Sequence, residues 1–277
     1  MAERLFMALH WLIAIAVFAV FGFIVADLLW QGLGQLNWGF LTEPPSNAGR
    51  GGGIGPILLS TALILMVALL AALPLGLACA VWLSEYLRGH GALARGVRIS
   101  LDALAGTPSI VFGLFGNAFF SVYLGLGFSI LSGGLTLACM ILPIFIRTSE
   151  AGLSAIGDDW RHQAAALGMT RASVLWHVLL PAATPAIVAG AMLGIGRATA
   201  ETAALLFTSG YVDRWPESLS DSGRALSVHI YDLSMNVTGG DQAAYGSALV
   251  LMALIVSINA TAMWASQHWL KRRMASP

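Results

Sequence analysis

The chain consists of continuous apolar runs separated by short polar segments. Six runs are long enough to cross a membrane as helices, each of which needs about 20 mostly apolar residues. They lie near residues 8–30, 57–83, 103–126, 131–149, 184–208 and 245–268. Backbone groups in lipid must pair within their own segment, and the runs lack the alternating polarity of membrane strands. The predicted fold class is therefore an all-α membrane protein with about six transmembrane helices.

The polar segments place loops of this single domain, residues 1–277, on two sides of the membrane. Residues 150–183 form a loop on one side, and residues 209–244 form a loop on the other. In the second loop, the spacing of apolar residues from Leu226 to Leu233 predicts a short amphipathic helix. This helix would lie on the membrane surface or contact an external partner.

Composition narrows the classes of function. Hydrophobic residues make up 57% of the chain and charged residues 10%, against roughly 25% charged residues in soluble domains. The formal net charge of zero gives no sign of a nucleic-acid partner. Cys79 and Cys139 lie in apolar runs without metal-ligand spacing, so we predict packing roles. The Gly51-Gly52-Gly53 run in segment 31–56 lacks the Gly-Lys-Ser/Thr of a P-loop, so we predict a flexible connector.

The basic residues predict the orientation, because cytoplasmic loops are enriched in Lys and Arg. Only Arg50, Arg214 and Arg224 lie on the side of the 209–244 loop. The opposite side carries Arg4, Arg88, Arg95, Arg98, Arg147, Arg161, Arg171, Lys271, Arg272 and Arg273. Both termini are therefore predicted to lie in the cytoplasm. The first apolar run is too long for a signal-peptide core, so we interpret it as a span.

The loop before the fifth span predicts two short cytoplasmic helices. Asp158 or Asp159 is a candidate N-cap for the first, because a carboxylate can accept the free amide hydrogens of the first turn. Gly168 fits the left-handed position that ends a helix. Thr170 can cap the second helix, which we expect to end by Pro181 and Pro185, before the fifth span begins. Together they would form a knob that projects from the membrane.

This stretch resembles the cytoplasmic signature of ABC importer permeases, which reads Glu-Ala-Ala, three residues, Gly, nine residues, Ile, one residue, Leu-Pro. Gly168 and Leu180-Pro181 keep that spacing, whereas His162 stands in the place of the Glu and Gln163 in that of the first Ala. The resemblance implies coupling helices in a groove of an ATPase subunit. His162 removes any contact specific to the Glu charge and is alternatively a solvated loop residue. The residues expected to couple are Asp159, His162, Gln163, Ala164, Ala165, Gly168, Leu180 and Pro181.

The fifth span contains two charged residues. Arg197 follows Pro185 by 12 residues, which is about 18 Å along a helix and near the bilayer middle. A charge there costs at least about 2.5 kcal/mol, so it should face a cavity or a partner. Glu201, one turn further, is close enough to pair with it. Two interpretations stay open: a structural ion pair, or an anion site in a pathway formed by Arg197, Glu201 and Thr202, since a guanidinium can grip a tetrahedral oxyanion.

Three further motifs resemble phosphate importer permeases. The run 197–208 is similar to their Arg-Ala-x-Gly-Glu-Thr-Ala-Pro-Leu-Leu-Phe-Thr sequence, with Ala200 in the place of Gly and Ala204 in the place of Pro. The runs 104–116 and 147–150 also resemble theirs. Because Gly and Pro are where membrane helices bend, the two alanines predict a stiffer helix.

The resemblance implies a PstA-type permease, which the short amino-terminal region and residues 225–231 favour over the PstC type. Such a multi-pass subunit of the bacterial inner membrane is expected to contact lipid and to bind no cofactor, metal or nucleic acid. Its expected partners are a PstC-type permease, an ATPase dimer that uses ATP-Mg, and an extracytoplasmic phosphate-binding protein. Pro108, Gly113 and Gly116 would form a gate hinge or pack helices closely. Transport of another oxyanion and a stand-alone channel remain alternatives. An intramembrane enzyme is disfavoured because no nucleophile and base converge.

Overall fold

The structure is a computed structural model that describes residues 2–87 and 91–274. In chain order the helices are α1 (Ala2–Gly32), α2 (Trp38–Thr42), α3 (Gly55–Val81), α4 (Gly91–Ala105), α5 (Ser109–Gly116), α6 (Ile130–Ser154), α7 (Asp158–Ala166), α8 (Arg171–Val174), α9 (Leu180–Thr199), α10 (Ala203–Leu206), α11 (Leu226–Met235) and α12 (Asp241–Met274). Wider π turns extend or join helices at Trp82–Tyr86, Asn117–Tyr123 and Leu175–Leu179. A small antiparallel hairpin pairs β1 (Pro45–Ser46) with β2 (Gly51–Gly52). Arg88, which contributed to the predicted orientation, lies outside the described residues.

Five helical segments in the described ranges are long and apolar enough to cross a membrane. They are Leu9–Gln35, Gly55–Tyr86, Ile130–Ser154, Arg171–Thr199 and Asp241–Ala265. A sixth crossing results if the bent pair Gly91–Ala105 and Ser109–Tyr123 counts as one span. This architecture confirms the predicted all-α membrane fold with about six spans.

Helix α6 forms the centre of the molecule, with α3 and α9 packed along it. Leu137, Ile141 and Phe145 of α6 are at most 2% exposed. Glycines of the neighbouring helices allow this close approach: a Cβ at Gly194 would lie 2.6 Å from the Ile141 side chain, and one at Gly76 would lie 2.5 Å from Phe145. Small residues at helix crossings let membrane helices gain dispersion contacts where lipid supplies no hydrophobic driving force.

The third span is broken, whereas the sequence predicted one helix over 103–126. Helices α4 and α5 meet at an angle of 101°. Pro108 at the break has an extended backbone, with φ −58° and ψ 142°. Proline has no N–H to donate and disfavours a helical conformation of the residue before it, here Thr107. The prediction of a single third helix after a loop is therefore wrong, because residues 91–105 are already helical.

The fifth span is also broken, so the prediction of one stiff helix over 184–208 is wrong. Helix α9 ends at Thr199, and the chain becomes helical again only at Ala203, in the short α10. Alanines at 200 and 204 did not prevent this break. Helix α10 packs so closely on α5 that a Cβ at Gly113 would lie 2.8 Å from Ala204 Cα. Tertiary contact therefore determines the bend that Gly and Pro would have favoured locally.

The second helix of the predicted coupling loop does not end at Pro181 or Pro185. Residues Arg171–Thr199 form one helical segment that includes the π turn Leu175–Leu179. In a regular α-helix the proline ring would clash with the carbonyl four residues earlier. The wider π turn just before Pro181 accommodates the ring. Leu180 and Pro181, predicted to couple, are consequently half-buried in the fifth span.

The two segments 31–56 and 209–244, both predicted to lie outside, are folded onto each other. Gly49, in the turn between the β-strands, has φ +86°, and a Cβ there would lie 3.0 Å from the ring of His229. The predicted short helix is confirmed as α11, and its Leu226, Val228 and Leu233 are at most 1% exposed. The prediction of a flexible connector over 31–56 is wrong, because this packing orders it.

Candidate functional site

Helix α7 forms the first part of the predicted coupling loop. Its N-cap is Gly157, so the prediction that Asp158 or Asp159 occupies this position is wrong. Both aspartates lie in the first helical turn instead. Their negative charge is still favourable there, because the first turn is the positive end of the helix dipole.

The end of α7 follows the local rules that the sequence indicated. Gly168 adopts φ +75°, and its N–H donates to the Ala165 carbonyl at 2.9 Å. The N–H of Met169 donates to the Ala164 carbonyl at 3.1 Å, which completes a Schellman motif. Thr170 Oγ1 then caps the next helix by accepting the backbone N–H three residues on at 3.2 Å. The two helices therefore meet at a defined corner.

The two sides of α7 differ in exposure. Arg161 and Ala164 face the protein, and Ala164 is 5% exposed. The opposite side is exposed and carries Asp159, Trp160, His162, Gln163, Ala165 and Leu167. Trp160 and Leu167 are large apolar residues that are 58% and 81% exposed. A loop outside the spans thus presents an apolar surface that this chain leaves uncovered.

The sequence reasoning missed an ion pair behind α7. Arg161 Nε and Nη2 donate to the two carboxylate oxygens of Glu85 at 3.1 and 2.7 Å. Both side chains are less than one fifth exposed, and the hydrogen bond to Glu85 raises the pKa of Arg161. Glu85 precedes Arg161 by 76 residues. No local pattern could have predicted this contact.

A second network joins α4 to the same end of α6. The carboxylate of Glu150, a residue 3% exposed, accepts hydrogen bonds from Arg98 at 2.6 Å and Arg147 at 2.9 Å. Arg147 also donates to Asp102 at 2.9 Å. The spacing of Arg147 and Glu150 was visible in the sequence, but Arg98 fell in a predicted loop. The amphipathic spacing over 94–101 was the signal that could have revealed α4.

Arg197 lies half-buried in the last turn of α9. The next residue, Ala198, belongs to the same apolar cluster as Leu137 of α6, so this turn lies within the helix bundle. Arg197 forms no hydrogen bond or ion pair with other described residues, and the predicted pair with Glu201 is absent. The helix ends at Thr199, so the one-turn spacing that this pair required does not exist.

Glu201 instead stabilises the break in the fifth span. Its Oε1 accepts the Ala204 N–H at 3.1 Å, and its backbone carbonyl accepts a hydrogen bond from Ser227 of α11. Glu201 is 9% exposed, and Thr202 beside it is half-buried. A structural role therefore fits Glu201, although the partner is the backbone and not Arg197.

The breaks in the third and fifth spans lie close to each other. Pro108 marks the first break, and Gly113 five residues later contacts Ala204 just after the second. A side chain at Gly116 would collide with Thr136 of α6. Both glycines therefore pack helices closely. Non-helical backbone at membrane depth occurs where it is buried in protein or lines a cavity, so these breaks mark the candidate pathway.

Arg224 organises a polar cluster in the loop of residues 209–244. Its Nε donates to the Tyr211 carbonyl at 2.9 Å, and its Nη1 lies 3.4 Å from His229 Nδ1, 3.4 Å from Asp232 and 3.7 Å from Asp213. Burial, helped by Arg224, lowers the pKa of His229 to about 4. Among the described residues, no group of three or more His, Cys, Asp and Glu side chains could hold a metal ion.

Comparisons with known proteins show the family to which the part of the chain with these features belongs. Residues 72–276, which include α7, Arg197 and both breaks, match the sequence model of the family described as binding-protein-dependent transport system inner membrane component. The fold is similar to that of the MetNI methionine ABC transporter in inward-facing conformations. The TM-score is 0.55 at 17% identity, covering 79% of this chain and 94% of that chain.

Two related proteins are named as transporter permeases, which agrees with this family match. The chain is 29% identical over 280 residues to a probable ABC transporter permease protein, YqgI, of Bacillus subtilis, covering 96% of this chain and 94% of the relative. It is 34% identical over 210 residues to the phosphate transport system permease protein PstA of Mycobacterium leprae, covering 75% and 68%. A component of such a system works with a binding protein and other transporter subunits. The chain is a multi-pass permease subunit, and it belongs to the binding-protein-dependent transport system inner membrane component family.

Proposed function

We propose that this chain is the transmembrane subunit of an ATP-driven importer of inorganic phosphate. The observation that carries the proposal is Arg197, which is half-buried at a break in a membrane helix and has no hydrogen bond or ion pair with other described residues. Such a charge is unfavourable by at least about 2.5 kcal/mol unless it faces a cavity or a partner. The name of the Mycobacterium leprae relative, a phosphate transport system permease, supports phosphate as the anion.

The chemistry of the site suits a tetrahedral oxyanion. The planar guanidinium of Arg197 can donate two parallel hydrogen bonds to two oxygens. Glu201 is engaged with the backbone, so it does not neutralise Arg197 by direct contact. Phosphate retains a proton near neutral pH and can donate a hydrogen bond to a carboxylate, which sulfate cannot. The half-buried Thr202 adds a hydroxyl beside the break.

The exposed side of α7 supports coupling to an ATPase. Trp160 and Leu167 offer apolar anchors, with Asp159, His162 and Gln163 around them. In the proposed assembly an ATPase dimer uses ATP-Mg, and this chain holds no nucleotide itself. A PstC-type permease completes the pathway, and an extracytoplasmic phosphate-binding protein delivers the substrate. Both termini then lie in the cytoplasm.

Uptake of labelled phosphate by cells carrying Arg197→Ala or Arg197→Lys tests the proposal. We expect Arg197→Ala to lower uptake about 10- to 100-fold, because this factor corresponds to the free energy of one lost hydrogen bond to a charged group. Arg197→Lys should retain only part of the uptake, because lysine lacks the planar guanidinium that donates two parallel hydrogen bonds. Arg50→Ala is the matched control, since Arg50 is exposed outside the spans and bonds only the Asn47 carbonyl of its own turn.

Normal uptake by both Arg197 variants at normal expression would contradict the phosphate site. Uptake of sulfate in place of phosphate by the unaltered chain would identify another oxyanion as the substrate. Uptake that persists without any ATPase subunit would indicate a stand-alone channel.

A further inference from the structure

Helix α7 has few attachments to the rest of the chain. Among its side chains, Arg161 and Ala164 face inward, and the others are exposed. Only residues 155–157 connect α7 to α6, and this linker ends in Gly157. At its other end α7 meets the fifth span at the corner formed by Gly168 and Thr170. A displacement of α7 reaches α3 and α6 only through this short linker and through the side chains of α7 that face inward.

Arg161 supplies such a contact to two membrane helices. Its Nε and Nη2 donate to Glu85, in the π turn that extends α3, at 3.1 and 2.7 Å. Its Nη2 donates to the Leu153 carbonyl at 3.1 Å, at the end of α6, and its Nη1 donates to the Ile156 carbonyl at 2.6 Å, in the linker that follows. Bidentate bonds to a carboxylate are strong and geometrically specific. Helix-end carbonyls lack intrahelical partners, so a cation there is favourable.

These bonds connect α7 to the best-packed part of the molecule. Helices α3 and α6 pack against each other along much of their length. The Arg161 guanidinium bonds to the ends of α3 and α6, so it joins α7 and the ends of these two helices into one rigid unit. We propose that Arg161 and Glu85 are positioning residues that transmit a displacement of α7 to α3 and α6. This inference rests on the proposed coupling to an ATPase, and it does not depend on which anion is transported.

The first test measures phosphate moved per ATP hydrolysed by the reconstituted whole transporter. We expect Arg161→Met and Glu85→Gln to lower this ratio about ten-fold, as for a lost charged hydrogen bond, while the ATPase subunit stays bound and active. Arg161→Lys should restore part of the ratio, because it keeps a cation that can donate to Glu85 and to the nearby carbonyls. Arg95→Met is the matched control, because Arg95 is exposed and forms no hydrogen bond or ion pair with described residues.

An unchanged ratio in both single variants would overturn the inference. Loss of the ATPase subunit in Arg161→Met and Glu85→Gln, with no restoration of the ratio by Arg161→Lys, would also overturn it, because the ion pair would then serve folding alone.

The second test does not need transport. Spin labels replace the exposed Tyr86 and His162 in the full-length chain, with Cys79→Ala and Cys139→Ala to remove native thiols. We expect a narrow label-to-label distance distribution that Arg161→Met broadens, and equal widths would contradict the rigid link. If the labels behave as expected but the unaltered transporter moves no phosphate, the proposed substrate is wrong and the link stands.

Discussion

Two arginines of this chain differ sharply in what they bond. Arg161, on the inward side of α7, directs its donors to Glu85 and to carbonyls at the end of α6 and in the linker after it. Arg197, at the end of α9, is also half-buried but forms no hydrogen bond or ion pair with other described residues. An arginine whose donors are occupied stabilises the fold. One whose donors are unoccupied among membrane helices is available to an anion.

The break in the fifth span creates this difference. Had α9 continued past Thr199, Glu201 would lie one turn from Arg197 and could pair with it. The break directs the Glu201 carboxylate to the Ala204 N–H instead. The local backbone therefore determines whether Arg197 is neutralised by this chain or by a ligand.

The largest expected effect is on stability. Arg161→Met should lower the free energy of unfolding by roughly 2–4 kcal/mol, because it leaves a partly buried carboxylate and several carbonyls without a partner. Arg197→Met should leave stability unchanged or raise it. Thermal unfolding of the purified proteins in one detergent measures both. Equal destabilisation by the two substitutions would contradict the contrast.

The polar cluster in the 209–244 loop extends the comparison to a third arginine, Arg224, which is bonded like Arg161. Its neighbour His229 has a pKa of about 4 against 6.5 for an ordinary histidine. Between about pH 6.5 and 4 the unfolded chain therefore binds a proton that the folded chain does not, and stability declines as the pH falls. The limit is on the order of 3 kcal/mol.

Unfolding temperatures recorded across this pH interval check the effect. His229→Gln should flatten the dependence, because it removes the group that takes up a proton on unfolding. A slope identical to that of the unaltered protein would show that His229 is not buried in its neutral form.

The close contact of α5 with α10 can be broken by Gly113→Leu. A side chain there meets the backbone of Ala204, so we expect a loss of roughly 1–3 kcal/mol from overpacking. Phosphate uptake should fall with it, since the break that frees Arg197 is displaced. Gly22→Ala is the control, because nothing lies within 4 Å of a Cβ at that position. If Gly113→Leu unfolds at the control temperature, the contact does not hold the break.

The smallest expected effect separates the two roles of Glu201. Glu201→Ala removes the acceptor for the Ala204 N–H and should cost about 1 kcal/mol, as for a lost helix cap. Glu201→Gln keeps that oxygen and should unfold at nearly the original temperature. If Glu201→Gln nevertheless lowers phosphate uptake, the carboxylate charge contributes to the pathway as well as to the fold.

The sequence predicted those features that local physics determines. A long apolar run such as that of α6 has few stable solutions in lipid other than a helix. Gly168 and Thr170 could be assigned because helix ends follow short-range rules. The bend at Pro108 could also have been predicted, since proline restricts the residue before it. The continuous apolar run around it favoured a single helix instead.

Contacts distant in sequence could not be predicted. The pair of Glu85 with Arg161 needs α3 and α7 to be placed by the fold. The break after Thr199 contains no Gly or Pro and depends on Ser227 and Gly113, which lie on other helices. The predicted pair of Arg197 and Glu201 was wrong because it assumed that the helix continued.

We propose that Arg197, which has no hydrogen bond or ion pair with other described residues, binds phosphate. ATP-dependent uptake of labelled phosphate into vesicles that contain the reconstituted transporter, with excess sulfate as competitor, tests it most directly. We predict saturable uptake that sulfate does not displace and that Arg197→Ala lowers at least about ten-fold without loss of the bound ATPase subunit. Equal phosphate uptake by the Arg197→Ala transporter would contradict the account.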